Sequence, residues 1–109
     1  MGMVIHQYDI FLVALDPTIG REIKKSRPCA VISPDELNLY IATVLIAPMT
    51  TQSHAYPSRV PVLFARKNGW VVLDQIRAVD KRRLIKRLGR LEAKTITHMK
   101  SVIQAMLVE

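Results

Sequence analysis

The chain has 109 residues and a formal net charge of +7, and half of its residues are apolar. That is the size of one compact domain with a real core, so residues 1–109 are expected to form a single domain, and wholesale disorder is excluded. The lone cysteine, Cys29, rules out an internal disulfide and sits in an apolar run as a small hydrophobe.

The first apolar run, "YDIFLVAL" (8–15), places Ile10, Leu12 and Ala14 on one face and Phe11, Val13 and Leu15 on the other. Apolar residues on both faces predict a strand buried on both sides. Asp16-Pro17-Thr18 ends it, because proline has no N–H for a ladder. "REIKKSR" follows with Arg21, Lys24, Lys25 and Arg27. "CAVISP" (29–34) reads as a second strand, "DELN" as a helical turn, and "IATVLIAPM" (41–49) as a third strand. "TTQSHAYP" (50–57) is a polar loop. "SRVPVLF" (58–64) alternates, with Val60, Val62 and Phe64 on one face, and "RKNG" is a hairpin turn signal. "WVVLDQIRAV" (70–79) is one strand, or two with a kink near Asp74-Gln75. "RLGRL" (87–91) is another strand, preceded by cations in "DKRRLIKRLGR".

The period then changes. Ile96, Met99, Ile103, Met106 and Leu107, flanked by Val102, fall at spacings of three and four and predict an amphipathic C-terminal helix over 92–109. Many short-linked strands with one terminal helix predict a mainly β (α+β) fold, a small antiparallel barrel. No apolar run approaches the roughly 20 residues of a bilayer span. The first residues lack the basic start and cleavage site of a secretory leader, so no membrane role and a cytoplasmic location are expected.

Two cationic clusters on so short a chain point to a polyanionic partner: nucleic acid, an anionic membrane face or an acidic protein. The histidines, His6, His54 and His98, are far apart, and no cluster at metal-ligand spacing is present. No cofactor and no metal are therefore expected. Arg27 is the strongest phosphate ligand by type, since its planar fork makes two parallel hydrogen bonds and always carries charge. Pro28 biases it toward extended backbone. The Thr50 hydroxyl at a strand end can bond a phosphate oxygen or cap a turn. Tyr56 in the loop is the best base-stacking candidate.

The segments "DPTIGRE" (16–22), "RPCAVISP" (27–34), "PMTTQ" (48–52), "YP" (56–57) and "DQIRAVD" (74–80), in that order, resemble the MazF/PemK (Kid) family of toxin endoribonucleases. One departure is Tyr8, where the family carries glycine. The resemblance implies an SH3-like barrel, MazF/CcdB/Kid-like, acting as a homodimer. It implies metal-independent, sequence-selective cleavage of single-stranded RNA by 2′-hydroxyl attack, leaving a 2′,3′-cyclic phosphate and a 5′-hydroxyl, and neutralisation by a cognate antitoxin protein. It assigns Arg27 and Thr50 as catalytic and Glu22 as a third catalytic position, whose carboxylate either joins the chemistry or braces Arg27. Arg21, Lys24 and Lys25 would track the RNA backbone. Thr51, Gln52, Ser53, Tyr56, Asp74, Gln75 and Arg77 would contact RNA. The Kid branch places its catalytic groups at positions that are Arg21, Val72 and Asp74 here; only the Asp is retained, so the chain looks closer to the branch built on Arg27 and Thr50. Two other readings stay open. One is a CcdB-like gyrase-binding toxin, and the other is a non-catalytic basic barrel that binds nucleic acid or an antitoxin.

Overall fold

The computed structural model describes residues 4–15 and 26–108. Seven strands form one antiparallel system: β1 (Asp9–Ala14), β2 (Ser26–Val31), β3 (Thr43–Thr50), β4 (Arg59–Phe64), β5 (Lys67–Val72), β6 (Arg77–Asp80) and β7 (Leu84–Arg90). Their order is β4-β5-β3-β2-β1-β7, with β6 also paired to β3. Strand β3 thus carries β2 on one side, while β5 and β6 share the other at its two ends. This sharing folds the sheet into a half-barrel. Two register shifts between β1 and β7 add the curvature that bulges supply.

The double-sided reading of β1 holds. Phe11 and Val13 enter one core with Cys29, Val31, Val44, Ile46, Val79 and Leu84, and Leu15 packs against it. Ile10 enters a second core with Ala30, Ala47, Met49, Val60, Val71, Leu73 and Leu91, and there the terminal helix contributes Met99. Burial drives the Cys29 thiol up to about 12, so it is a protonated core group.

Helix α1 (Asp35–Tyr40) is one short turn pinned by Asn38, whose amide is bonded within the core to Ser33. Helix α2 (Ala93–Leu107) lays Ile96, Met99, Val102 and Ile103 on the second core. The apolar stripe read from the sequence runs one turn too far: Met106 and Leu107 are exposed, Leu107 by 67%. They continue the helical period beyond the point where sheet is available to cover them.

Two boundaries differ from the sequence reading in ways that matter for the site. Strand β2 starts at Ser26 rather than Cys29, so Arg27 and Pro28 are strand residues; the residue before proline is already extended and simply joins the ladder. The β4–β5 turn falls at Ala65-Arg66, with φ of 52° and 64°, the left-handed pair that a two-residue hairpin turn requires. Asn68 and Gly69 lie inside β5. Gly69 serves a different need there: a Cβ would lie 2.7 Å from the Thr50 carbonyl oxygen, so only glycine lets β3 end this close to β5.

Candidate RNA-cleavage site

Strands β2 and β3 pair Cys29 with Pro48. Two residues further along each antiparallel strand, in opposite directions, stand Arg27 and Thr50. Register therefore brings together residues 23 apart in sequence, and both line the same clefts. The Thr50 hydroxyl accepts from the Gln52 N–H at 3.1 Å and donates to the Gln52 carbonyl at 3.3 Å, a turn-capping arrangement. A hydroxyl has a second lone pair and a proton that can rotate, so the same oxygen can serve a phosphate while it holds the loop. Arg27 is exposed, and no described carboxylate pairs with it.

Two clefts meet at Arg27, Thr50 and Gln52. The first, about 460 Å³, is walled by Met49, Val62, Phe64 and Trp70, with Lys67 at its edge. The second, about 560 Å³, is polar and contains Arg59, Gln75 and Arg77. A phosphate held between Arg27 and Thr50 would have an apolar, aromatic hollow on one side and a cationic one on the other. Charge pairs with the backbone, and apolar walls receive unstacked bases.

The remaining expected site residues separate into groups. Thr51 and Gln52 are exposed beside Thr50, and Gln75 and Arg77 line the polar cleft. Ser53 donates to the His54 carbonyl at 2.9 Å and accepts from an Arg59 N–H at 2.6 Å. Tyr56 is half exposed. Asp74 is engaged: Arg59 reaches both its oxygens at 3.2 Å, and the Ser58 hydroxyl donates at 2.9 Å. Those bonds hold the Asp74 carboxyl below the usual carboxylate range. Glu22, Arg21, Lys24 and Lys25 lie outside the described residues.

The second cationic cluster is largely committed to the fold. Arg87 and Arg90 approach the carboxylate of Asp9, which is 1% exposed, at 3.3 and 3.8 Å. Arg83 donates to the Ala14 carbonyl, Lys81 to the Asn38 carbonyl, and Arg82 pairs with Asp80. Apart from the local Arg82–Asp80 pair, these contacts fasten the β6–β7 region to β1 and α1.

Sequence reasoning missed Arg59 and Gly69. Arg59 faces its partner Asp74 across fifteen residues, with no local signal. Gly69 had a signal, Asn-Gly, that reads as a turn.

The family model for the PemK-like, MazF-like toxin of type II toxin–antitoxin systems matches residues 6–107. The chain belongs to this family. It is 27% identical over 111 residues to endoribonuclease EndoA of Bacillus subtilis, with 96% of each chain covered. It is 30% identical over 105 residues to endoribonuclease MazF of Staphylococcus saprophyticus, covering 91% of this chain and 88% of the relative. Its fold superposes on MazF in a MazE–MazF crystal structure from Deinococcus radiodurans with a TM-score of 0.81, at 25% identity and 96% coverage of both chains. The two relatives matched by sequence are named endoribonucleases. No helix of the described residues is long and apolar enough to cross a membrane.

Proposed function

We propose that this MazF-family chain is a sequence-selective endoribonuclease, a single toxin domain that cuts single-stranded RNA in the cytoplasm and is held in check by a cognate antitoxin. The observation that carries the reading is the meeting of Arg27 and Thr50 across β2 and β3, at the junction of an apolar and a cationic cleft. The endoribonuclease names of its relatives favour it over the gyrase-binding alternative.

Cleavage by 2′-hydroxyl attack builds charge on the two non-bridging oxygens of the scissile phosphate. The Arg27 guanidinium spans that pair and strengthens its grip as charge develops, which is the condition for catalysis rather than mere binding. A guanidinium scarcely releases a proton, so its part is charge stabilisation. Thr50 donates its hydroxyl proton to a phosphate oxygen. Glu22 is assigned to proton transfer or to bracing Arg27, from the segment that leads into β2. Arg21, Lys24 and Lys25 on that segment hold neighbouring phosphates. Bases on either side of the cut enter the two clefts, where Trp70 and Phe64 give apolar contact and Gln52, Gln75 and Arg77 give hydrogen bonds. Thr51 and Ser53 extend the polar rim. No step calls on a metal ion or cofactor.

The active species is a homodimer, as the family resemblance implies. The antitoxin is an acidic or amphipathic segment that competes for the cleft, complementary to the chain's charge of +7. The test is single-turnover cleavage of a mixed-sequence RNA in EDTA. Wild type should cut at discrete sites. Arg27→Ala should lose at least about 100-fold and Thr50→Ala at least about tenfold, the range for deleting one transition-state donor, with unchanged melting. Undiminished cutting by both variants would overturn the assignment.

A further inference from the structure

Arg59 is more heavily used than any other cation of the described cleft. Its Nε and one terminal nitrogen fork onto Asp74, and the other terminal nitrogen donates to Ser53 Oγ. Its Cζ lies 4.9 Å from the centroid of the Tyr56 ring. With only 17% of its side chain exposed, and its N–H groups directed to Asp74 and Ser53, it is poorly placed to hold a phosphate. What it holds is the loop. The Arg59 N–H donates to the Tyr56 carbonyl at 3.0 Å, and the Tyr56 N–H donates to the His54 carbonyl at 2.9 Å. The His54 ring stands edge-on to Tyr56, with centroids 5.9 Å apart at 71°. A tyrosine in a polar loop is thus backed by a cation, flanked by an imidazole and anchored through its backbone, yet half of its surface meets solvent. Ordering an exposed aromatic side chain costs conformational entropy. Its payoff is a pre-set flat surface. Arg59 also lines the cleft that contains Arg27 and Thr50, so the guanidinium that backs the Tyr56 ring links this loop to that cleft.

We propose that Tyr56 is a stacking platform for an unpaired base of the bound strand, and that Asp74 is a positioning residue acting through Arg59 rather than a carrier of the reaction's proton. The inference rests on the endoribonuclease reading. Stacking accepts any base, because every base has a π face, so the platform supplies affinity and register while the clefts supply selectivity. Fully ionised and three times hydrogen-bonded, the Asp74 carboxylate is a poor acid and an encumbered base.

The experiment begins with the cut site mapped on wild type. A matching oligonucleotide with a 2′-deoxy nucleotide at the cut then reports binding without cleavage, and each flanking base is removed in turn as an abasic nucleotide. Tyr56→Leu should weaken binding roughly tenfold, within the range of a base–aromatic stack, and Tyr56→Phe should restore it. One abasic position should produce the same loss in wild type and no further loss in Tyr56→Leu. Arg59→Ala and Asp74→Asn should reproduce the loss and fail to add to each other, raising KM with kcat within about twofold. Arg59→Lys, which keeps charge without the fork, reports the same coupling should Arg59→Ala fold poorly. A fall in kcat of about 100-fold in Asp74→Asn at constant KM, the size of a lost acid–base group, would overturn the proposal, as would the absence of any abasic position coupled to Tyr56. Wild type that neither binds nor cuts RNA would instead overturn the endoribonuclease reading itself.

Discussion

The cleft at the ends of β2 and β3 and the seam between β1 and β7 are both rich in arginine, and they use it in opposite ways. Along the seam, Arg87 and Arg90 converge on the buried carboxylate of Asp9, which also accepts the His6 N–H at 3.0 Å, and Arg83 caps a β1 carbonyl. In the cleft, Arg27 and Arg77 line open space, and among the described residues Arg59 is the one tied down to a carboxylate. Charge density in the sequence does not separate these cases. The seam holds the longer run of cations, yet the cleft has the geometry of an anion site. A cation binds an external anion when no internal one has claimed it, and that is decided by tertiary pairing.

The contrast can be broken from either side. The largest effect in the cleft is the roughly 100-fold or greater loss of cleavage for Arg27→Ala at constant melting temperature. The seam should respond in the other currency. Asp9→Ala strands two partly covered guanidinium groups and empties a buried site. It should cost about 3 kcal/mol, the low end for breaking a buried ion pair, and lower the melting temperature by at least ~10 °C, while the folded fraction still cuts RNA. Calorimetry beside an activity-per-folded-molecule assay separates the two.

Gly69→Ala tests how closely the cleft depends on its neighbour. The new methyl would meet the Thr50 carbonyl, so β3 or β5 must shift. A displacement on the scale of 1 Å near the reacting atoms should lower kcat by about 10–100-fold, with a smaller change in stability. Thr50→Ala combined with Gly69→Ala should then be no worse than Thr50→Ala alone.

Acid gives a smaller effect with a definite sign. Asp74, Asp35 and Asp80 all have carboxyls held below their ordinary value, chiefly by hydrogen bonds from Arg59, from the Gln7 N–H and from Arg82 respectively. A lowered folded pKa contributes stability that is present above the unfolded carboxylate value near ~3.9 and is lost as pH falls through the folded one. Thermal stability should therefore be level down to about pH 5 and fall below about pH 4. Asp74→Asn should remove part of that fall, and high salt should shrink the part due to exposed Asp35 and Asp80.

Much of the fold was legible because it rests on local period. The double-faced run at β1, the alternation of β4, the kink at Asp74-Gln75 and the change to helical spacing all follow from which side chains must be covered. The kink is a single 3-10 turn, Leu73–Gln75, between β5 and β6. Arg27 and Thr50 were legible as motif residues, but their convergence was not, since strand register is a long-range property. Gly69 resembled a turn glycine because Asn-Gly satisfies turn chemistry; its role depends on how close β3 runs. Tyr8 shows the reverse. It stands where the resemblance expects glycine, yet it adopts φ of 72°, a left-handed backbone that glycine takes more readily, and its side chain packs against the helix-side core. Arg59 carries no local signal in the alternating segment 58–64, and only the fold supplies its Asp74.

The most direct measurement is the chemistry of the ends. Purified protein is incubated in EDTA with a mixed-sequence RNA and with the same strand carrying one 2′-deoxy nucleotide at the mapped cut. The account predicts discrete cuts leaving a 2′,3′-cyclic phosphate and a 5′-hydroxyl, and an intact but still bound 2′-deoxy strand. Cleavage of the 2′-deoxy strand, or products ending in a 3′-hydroxyl and a 5′-phosphate, would contradict it.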